Sequence, residues 1–317
     1  MLGYWTIAGM ALSSGGAGAT TRPPSRLESL QVHERVFAGV PYVEIAVAHP
    51  KRTILYIHGG PDVRALDISE DVEGYLARRF RARIIKPVYY GSTERSPNNN
   101  MLQLAVTAAM GRPEIRRRVI GAVRETYRGM PQAVVEVRRF LRHWDAPSTV
   151  VLGESFGAPL AALAARVPHM GRLVLVAPVI ATHREIVRAA IAGRSTLRDP
   201  IDPPRLVLEG RDRTDEILNT SLRRRRMLEA ISLAYYQPWQ NMTLGTMLKR
   251  TPGHVSIIVG LRDRVGMVTG REWSRLRAQA PRATRICLDP ELAHTPPWIG
   301  GKGRRCFLRA MDSAKLS

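Results

Sequence analysis

Residues 150–166 read VVLGESFGAPLAALAAR. A short apolar, partly β-branched run at 150–152 has the composition of a buried strand. Ala158, Ala161, Ala162, Ala164 and Ala165 favour a helix, and Pro159 sits in a first turn, where its missing N–H costs little. Between the two runs stands one serine, Ser155, flanked by Gly153-Glu154 and Phe156-Gly157. A chain that turns from strand to helix over so few residues forces the residue at the bend into unusual backbone angles and crowds its neighbours. Glycine, with no Cβ, relieves that crowding. The stretch therefore demands a fold in which a strand feeds directly into a helix, and it puts a serine at the tip of the turn.

The rest of the chain fits that demand. Residues 33–48 alternate as a hairpin around Gly39-Val40-Pro41. Residues 53–57, TILYI, form a strand that ends at His58-Gly59-Gly60-Pro61. A helix is predicted at 69–80 and a strand at 83–90, followed by Gly91-Ser92-Thr93. A long connection leads to a helix at 131–144 and a strand at 148–152. Further strands are expected at 172–179, 255–259 and 284–288, with helices at 270–279 and 303–313. Strands that alternate with helices predict a mostly parallel central sheet with helices on both faces.

Residues 181–250 break the rhythm and read as a helical cap inserted over the C-terminal edge of the sheet, with a short strand possible at 205–208. Ligands of open α/β sheets bind at that edge. The core is then 31–180 and 251–317. Residues 1–30 form an N-terminal tail or a signal segment: 2–12 are apolar and Ala17-Gly18-Ala19 suits a cleavage site, but no basic stretch precedes them. Cytoplasmic and exported locations both stay open. No apolar run reaches the roughly 18–20 residues of a membrane span.

The net charge is +21, and all but 5 of the 48 basic residues are arginine. Charge of this kind speaks to solubility and non-specific association. The arginines are scattered, residues 223–226 being the tightest cluster, and no nucleic-acid motif accompanies them. Specific nucleic-acid binding is therefore not expected. Cys287 and Cys306 are the only cysteines. Their spacing suits no metal site, and pairing would require their Cα atoms to be close.

A serine on such a turn can act as a nucleophile if a base and an orienting acid reach it. Of eight histidines, His294 lies after the last predicted strand, at the same sheet edge as Ser155. Asp263 follows the strand at 255–259, so it can approach the imidazole from the side away from Ser155. Asp289 is the rival, but it lies five residues before His294, where it could simply order that loop. The order Ser155, Asp263, His294 goes with a nucleophile elbow. An oxyanion hole needs two N–H groups aimed at one point; Phe156 and Gly60 are the candidates, since Pro61 has no N–H.

These motifs resemble the α/β-hydrolase superfamily over roughly residues 35–310. His58-Gly59-Gly60-Pro61 together with Tyr90-Gly91-Ser92-Thr93 is similar to prolyl oligopeptidase-like peptidases, and the HGGP loop to the HGGPG loop of prolyl aminopeptidases, although Asp62 replaces the final glycine. The resemblance implies a capped serine hydrolase acting through an acyl-enzyme on a small-molecule or short-peptide substrate, without metal or cofactor. Peptide or other amide and carboxylic ester are equally open as the bond cleaved. Tyr235, Tyr236 and Trp239, with Met242, either wall a substrate pocket or form the core of the cap. The alternative from another class is a catalytically silent protein of the same fold that uses its basic surface for binding.

Overall fold

A computed structural model describes residues 30–59, 65–90, 92–95, 130–155, 157–165, 171–182, 242–249, 251, 254–263, 272–292 and 301–312. Among the described residues eight strands form one sheet: β1 (Gln31–Phe37), β2 (Val40–Ala46), β3 (Arg52–Ile57), β4 (Ala82–Pro87), β5 (Thr149–Glu154), β6 (Arg172–Val176), β7 (His254–Gly260) and β8 (Arg285–Asp289). Their spatial order is β1-β2-β4-β3-β5-β6-β7-β8. The β1–β2 and β2–β4 pairs are antiparallel, and every later pair is parallel. Ala38 and Gly39, both with positive φ, make the two-residue hairpin turn, which matches the twist of the strands it joins.

The described helices are α1 (Tyr75–Phe80), α2 (Met130–His143), α3 (Gly157–Ala164), α4 (Leu244–Leu248), α5 (Glu272–Gln279) and α6 (Gly301–Asp312). A wider helical turn, Glu70–Gly74, leads into α1. Alternation along the strands sends side chains to two cores. Leu55, Ile57, Val151, Leu173 and Ile257 pack with Phe140 of α2, Leu160 of α3, Leu248 of α4 and Leu276 of α5. On the other face Ile54, Tyr56, Val150, Leu152 and Val174 pack with Leu76 and Phe80 of α1 and Phe307 and Met311 of α6. The expected sheet with helices on both faces is what the chain forms.

Strand ends differ from expectation for a local reason. The strand expected at 172–179 stops at Val176 because Ala177 turns to φ +43°. β5 instead runs on to Glu154, through the glycine at 153 that pairs with Ile57 and Leu175. Several exit residues of the sheet then step across to the neighbouring strand: Ser155 N–H donates to Val176 O (3.0 Å), Ala177 N–H to Ile258 O (3.0 Å), and Leu261 N–H to Asp289 O (2.8 Å). This staircase builds the C-terminal edge.

α3 starts hard against β3. A Cβ on Gly157 would overlap the carbonyl oxygens of Ile57 and His58, both fixed main-chain atoms. Since the backbone of a packed sheet cannot give way, Gly157→Ala should cost about 3 kcal/mol or more. Chemical denaturation of the variant checks this, and unchanged stability would mean that α3 can slide away from β3.

Candidate active site

Ser155 has φ +48°. A residue with a Cβ held in the left-handed region stores of order 1–3 kcal/mol of strain, which the surroundings must over-determine. They do so on both sides. The Ser155 N–H is tied to Val176, and its carbonyl accepts the Ala158 N–H (3.2 Å) in the first turn of α3. The loop after β3 closes on the same point: a Cβ on Gly59 would lie 3.0 Å from Ser155 Cβ and 3.7 Å from its Oγ. The structure thus brings the serine and the start of the HGGP loop together. Gly60 and Phe156, the two oxyanion candidates, lie outside the described residues.

Asp263 sits just beyond β7, buried, with its N–H bonded to Gly260 O (3.0 Å). The neighbouring Arg262 N–H donates to Leu292 O (3.1 Å), which stitches the loop bearing Asp263 to the segment two residues before His294. His294 itself lies outside the described residues, as do Tyr235, Tyr236 and Trp239. The rival acid, Asp289, is held by backbone N–H groups. Asp289 Oδ1 accepts the Glu291 N–H (3.0 Å) and Oδ2 the Gly303 N–H (2.5 Å) in the first turn of α6. Burial alone would raise its carboxyl, but the backbone N–H groups of Glu291, Gly303 and Leu292, with Lys302, outweigh that and hold it below its ordinary value.

Beneath the serine lies a set of polar side chains that the sequence does not advertise. The Tyr56 hydroxyl donates to the carboxylate of Glu154, the residue before Ser155. Burial, then the charge of Glu154, push the Tyr56 phenol well above its ordinary value, so it stays a donor. Lys86, buried on β4, pairs with the buried Glu73 (2.5 Å) and donates to Asp67 O (2.8 Å). Glu73 in turn accepts the Ser69 N–H (2.9 Å). Leu66 N–H donates to Glu94 (2.9 Å). The far end of the connection after β3 is thereby pinned to β4 and the turn that follows it.

The near end is pinned through His58, which is buried. Its Nδ1 lies 2.9 Å from Gly59 O, and its Nε2 lies 3.3 Å from Oγ of Ser92, also buried. Tyr89 stacks on the imidazole, ring centroids 4.5 Å apart, and its hydroxyl donates to His58 O (3.0 Å). The turn carrying Ser92 is braced from outside: Arg95 makes a two-pronged pair with Glu136 of α2 (2.6 and 3.0 Å), and Glu136 also accepts the Tyr90 N–H (2.8 Å). Among the described residues no group of His, Cys, Asp and Glu could hold a metal ion.

No protein-family model matches the sequence, and no curated protein matches it. Solved structures do match in shape. EstE5, in a crystal soaked with p-nitrophenyl butyrate, is 14% identical with a TM-score of 0.51, over 91% of this chain and 85% of its own. A mutant of the esterase E40 is 15% identical with a TM-score of 0.52, over 91% and 84%. An N-formylmaleamic acid deformylase from Pseudomonas putida S16 is 14% identical with a TM-score of 0.50, over 89% of this chain and all of its own. At such identities the likeness speaks to architecture alone, and with the strand order above it establishes that the chain has the α/β-hydrolase fold.

Burial, reinforced by the positive charge of Lys86, lowers the His58 imidazole from 6.5 to about 3. In the folded state it is neutral, whereas the unfolded chain takes up the proton below pH 6.5, so stability rises with pH wherever the unfolded state binds more protons. The contribution of His58 is complete above pH 6.5 and is lost as the pH falls from there towards about 3. The melting temperature should therefore drop across this window, and His58→Gln should flatten that part of the profile. Equal slopes for the two proteins would contradict the buried neutral imidazole.

Proposed function

We propose that this protein is a serine hydrolase that cleaves a small carboxylic ester or amide through an acyl-enzyme. The observation that carries the reading is Ser155: a strained serine at a strand-to-helix turn, with Gly59 of the neighbouring loop packed against it. A serine that costs strain to hold and faces a glycine-rich loop is arranged for attack on an acyl carbon. His294 takes the serine proton and returns it to the leaving group, and Asp263 holds the imidazole. The stitch between the Asp263 loop and Leu292 supports this pairing. The amides of Gly60 and Phe156 stabilise the oxyanion.

The names of the similar structures span an esterase and a deformylase, so both ester and amide bonds lie within the range of the fold. The prolyl peptidase-like reading of the HGGP loop is the narrower form of the amide alternative. On this reading the cap insertion at 181–250 selects among substrates, with Tyr235, Tyr236 and Trp239 walling its pocket, while α4 at its end packs into the core of the sheet through Leu244 and Leu248. The pairing of Cys287 and Cys306 favours the exported reading of the N-terminal segment, because such bonds persist in oxidising compartments.

Ser155→Ala should lower kcat by about 10⁴-fold or more, as losses within a triad do. A fluorophosphonate probe should label the wild type at Ser155 and leave the variant unlabelled. Comparison of kcat/KM for aryl esters with that for aminoacyl and prolyl arylamides separates the substrate classes. Ester turnover without any arylamide turnover would end the peptidase alternative, and a Ser155→Ala protein as active as the wild type would end the hydrolase reading itself.

A further inference from the structure

We infer that Ser92 and His58 are positioning residues that aim the loop after β3 at Ser155, the Ser92 hydroxyl anchoring the far edge of the imidazole and the imidazole fixing the Gly59 peptide. The inference rests on the serine-hydrolase reading and adds a working part to it.

The direction of each hydrogen bond follows from its partner. Gly59 O can only accept, so Nδ1 of His58, 2.9 Å away, carries the proton. A neutral imidazole has one N–H, so Nε2 is the acceptor and the Ser92 hydroxyl at 3.3 Å donates to it. The Gly59 carbonyl sets the tautomer, because a serine hydroxyl can either donate or accept; Ser92 adapts to it, donates to the bare Nε2 and holds that edge of the ring in place. Tyr89 completes the hold, its hydroxyl donating to His58 O at 3.0 Å while its ring stacks on the imidazole. The Gly59 carbonyl is thereby drawn to the His58 side. A peptide group is planar, so holding the Gly59 carbonyl constrains the plane of the amide that follows it in the chain, and that amide is the one assigned to the oxyanion. Gly59 itself lies against Ser155, so an error in the peptide plane is felt at the nucleophile.

Alternative duties for these groups fit less well. Ser92 and His58 are both buried, which leaves neither open to solvent. Ser92 Oγ faces the imidazole edge distant from Gly59, so its influence on the loop passes through the ring.

The test uses the full-length protein with an aryl ester, a boronic acid that mimics the tetrahedral intermediate, and ¹⁵N-labelled histidine. Ser92→Ala should lower kcat by about 10- to 100-fold, a part of the roughly 10²–10³-fold that losing an oxyanion donor costs, with KM nearly unchanged. Affinity for the boronic acid should fall by a similar factor, and Ser92→Thr, which keeps the hydroxyl, should recover most of both. In the wild type, ¹⁵N chemical shifts should show His58 protonated at Nδ1 and bare at Nε2. Wild-type kcat and boronic acid affinity in Ser92→Ala would overturn the inference, as would a proton on Nε2 of the wild-type imidazole. The ¹⁵N measurement decides even if Ser92→Ala does not fold. A wild type that neither turns over the ester nor binds the boronic acid would instead count against the hydrolase reading.

Discussion

The turn at Ser155 is the constraint around which the described structure is arranged. β5 must leave the sheet and enter α3 within three residues, and it does so with the serine at φ +48°. That is affordable only because the residues around it are fixed independently. β6 takes the Ser155 N–H, α3 takes its carbonyl, and β3 presses its last carbonyls against Gly157. Two apolar cores then clamp the sheet from both faces. The strain at one residue is offset by burial spread over dozens, which is how a packed scaffold holds a strained residue.

The buried polar side chains around Lys86 and Tyr56 are engaged in sets rather than singly. Lys86 and Glu73 would each be costly in a low-dielectric interior, and together with Asp67 O and the Ser69 N–H they satisfy one another. They also hold the chain between β3 and α1 against β4. Tyr56 meets Glu154 from the adjacent strand, two residues beyond its own register partner Leu152 and on the same face. A half-satisfied network would be worse than an apolar core, which gives these side chains a structural reason to occur together.

The arginine excess acquires part of its meaning in the same way. Arg52 and Arg172 donate to the carbonyls of Met311 and Ala310 at the end of α6 (2.7 and 3.2 Å), and Arg138 donates to Leu163 O near the end of α3 (3.1 Å). The last carbonyls of a helix have no partner within it, and cationic side chains are favourable there. Arginine, with five donors in a fixed fork, can reach such carbonyls from another element. Some of the charge that the composition reports is thus spent on tertiary joints.

The sequence by itself determined what depends on neighbours in the chain. Alternation and apolar runs marked the strands, 3.6-residue spacing marked α2, and the glycines around Ser155 marked the strand–turn–helix unit, because each signal lies within a window of about 15 residues. It could not determine contacts that span the fold. His58 and Ser92 are 34 residues apart, Tyr56 and Glu154 are 98 apart, and nothing local says that they meet. Cys287 and Cys306 gave no sign of pairing until β8 and α6 were packed with their Cα atoms 6.3 Å apart. Asp263 and Asp289 both follow predicted strands, and spacing in the sequence favoured Asp263 without saying what Asp289 binds. Only the tertiary structure gave Asp289 to the start of α6, because the hydrogen bonds that occupy a carboxylate are set by what the fold places around it.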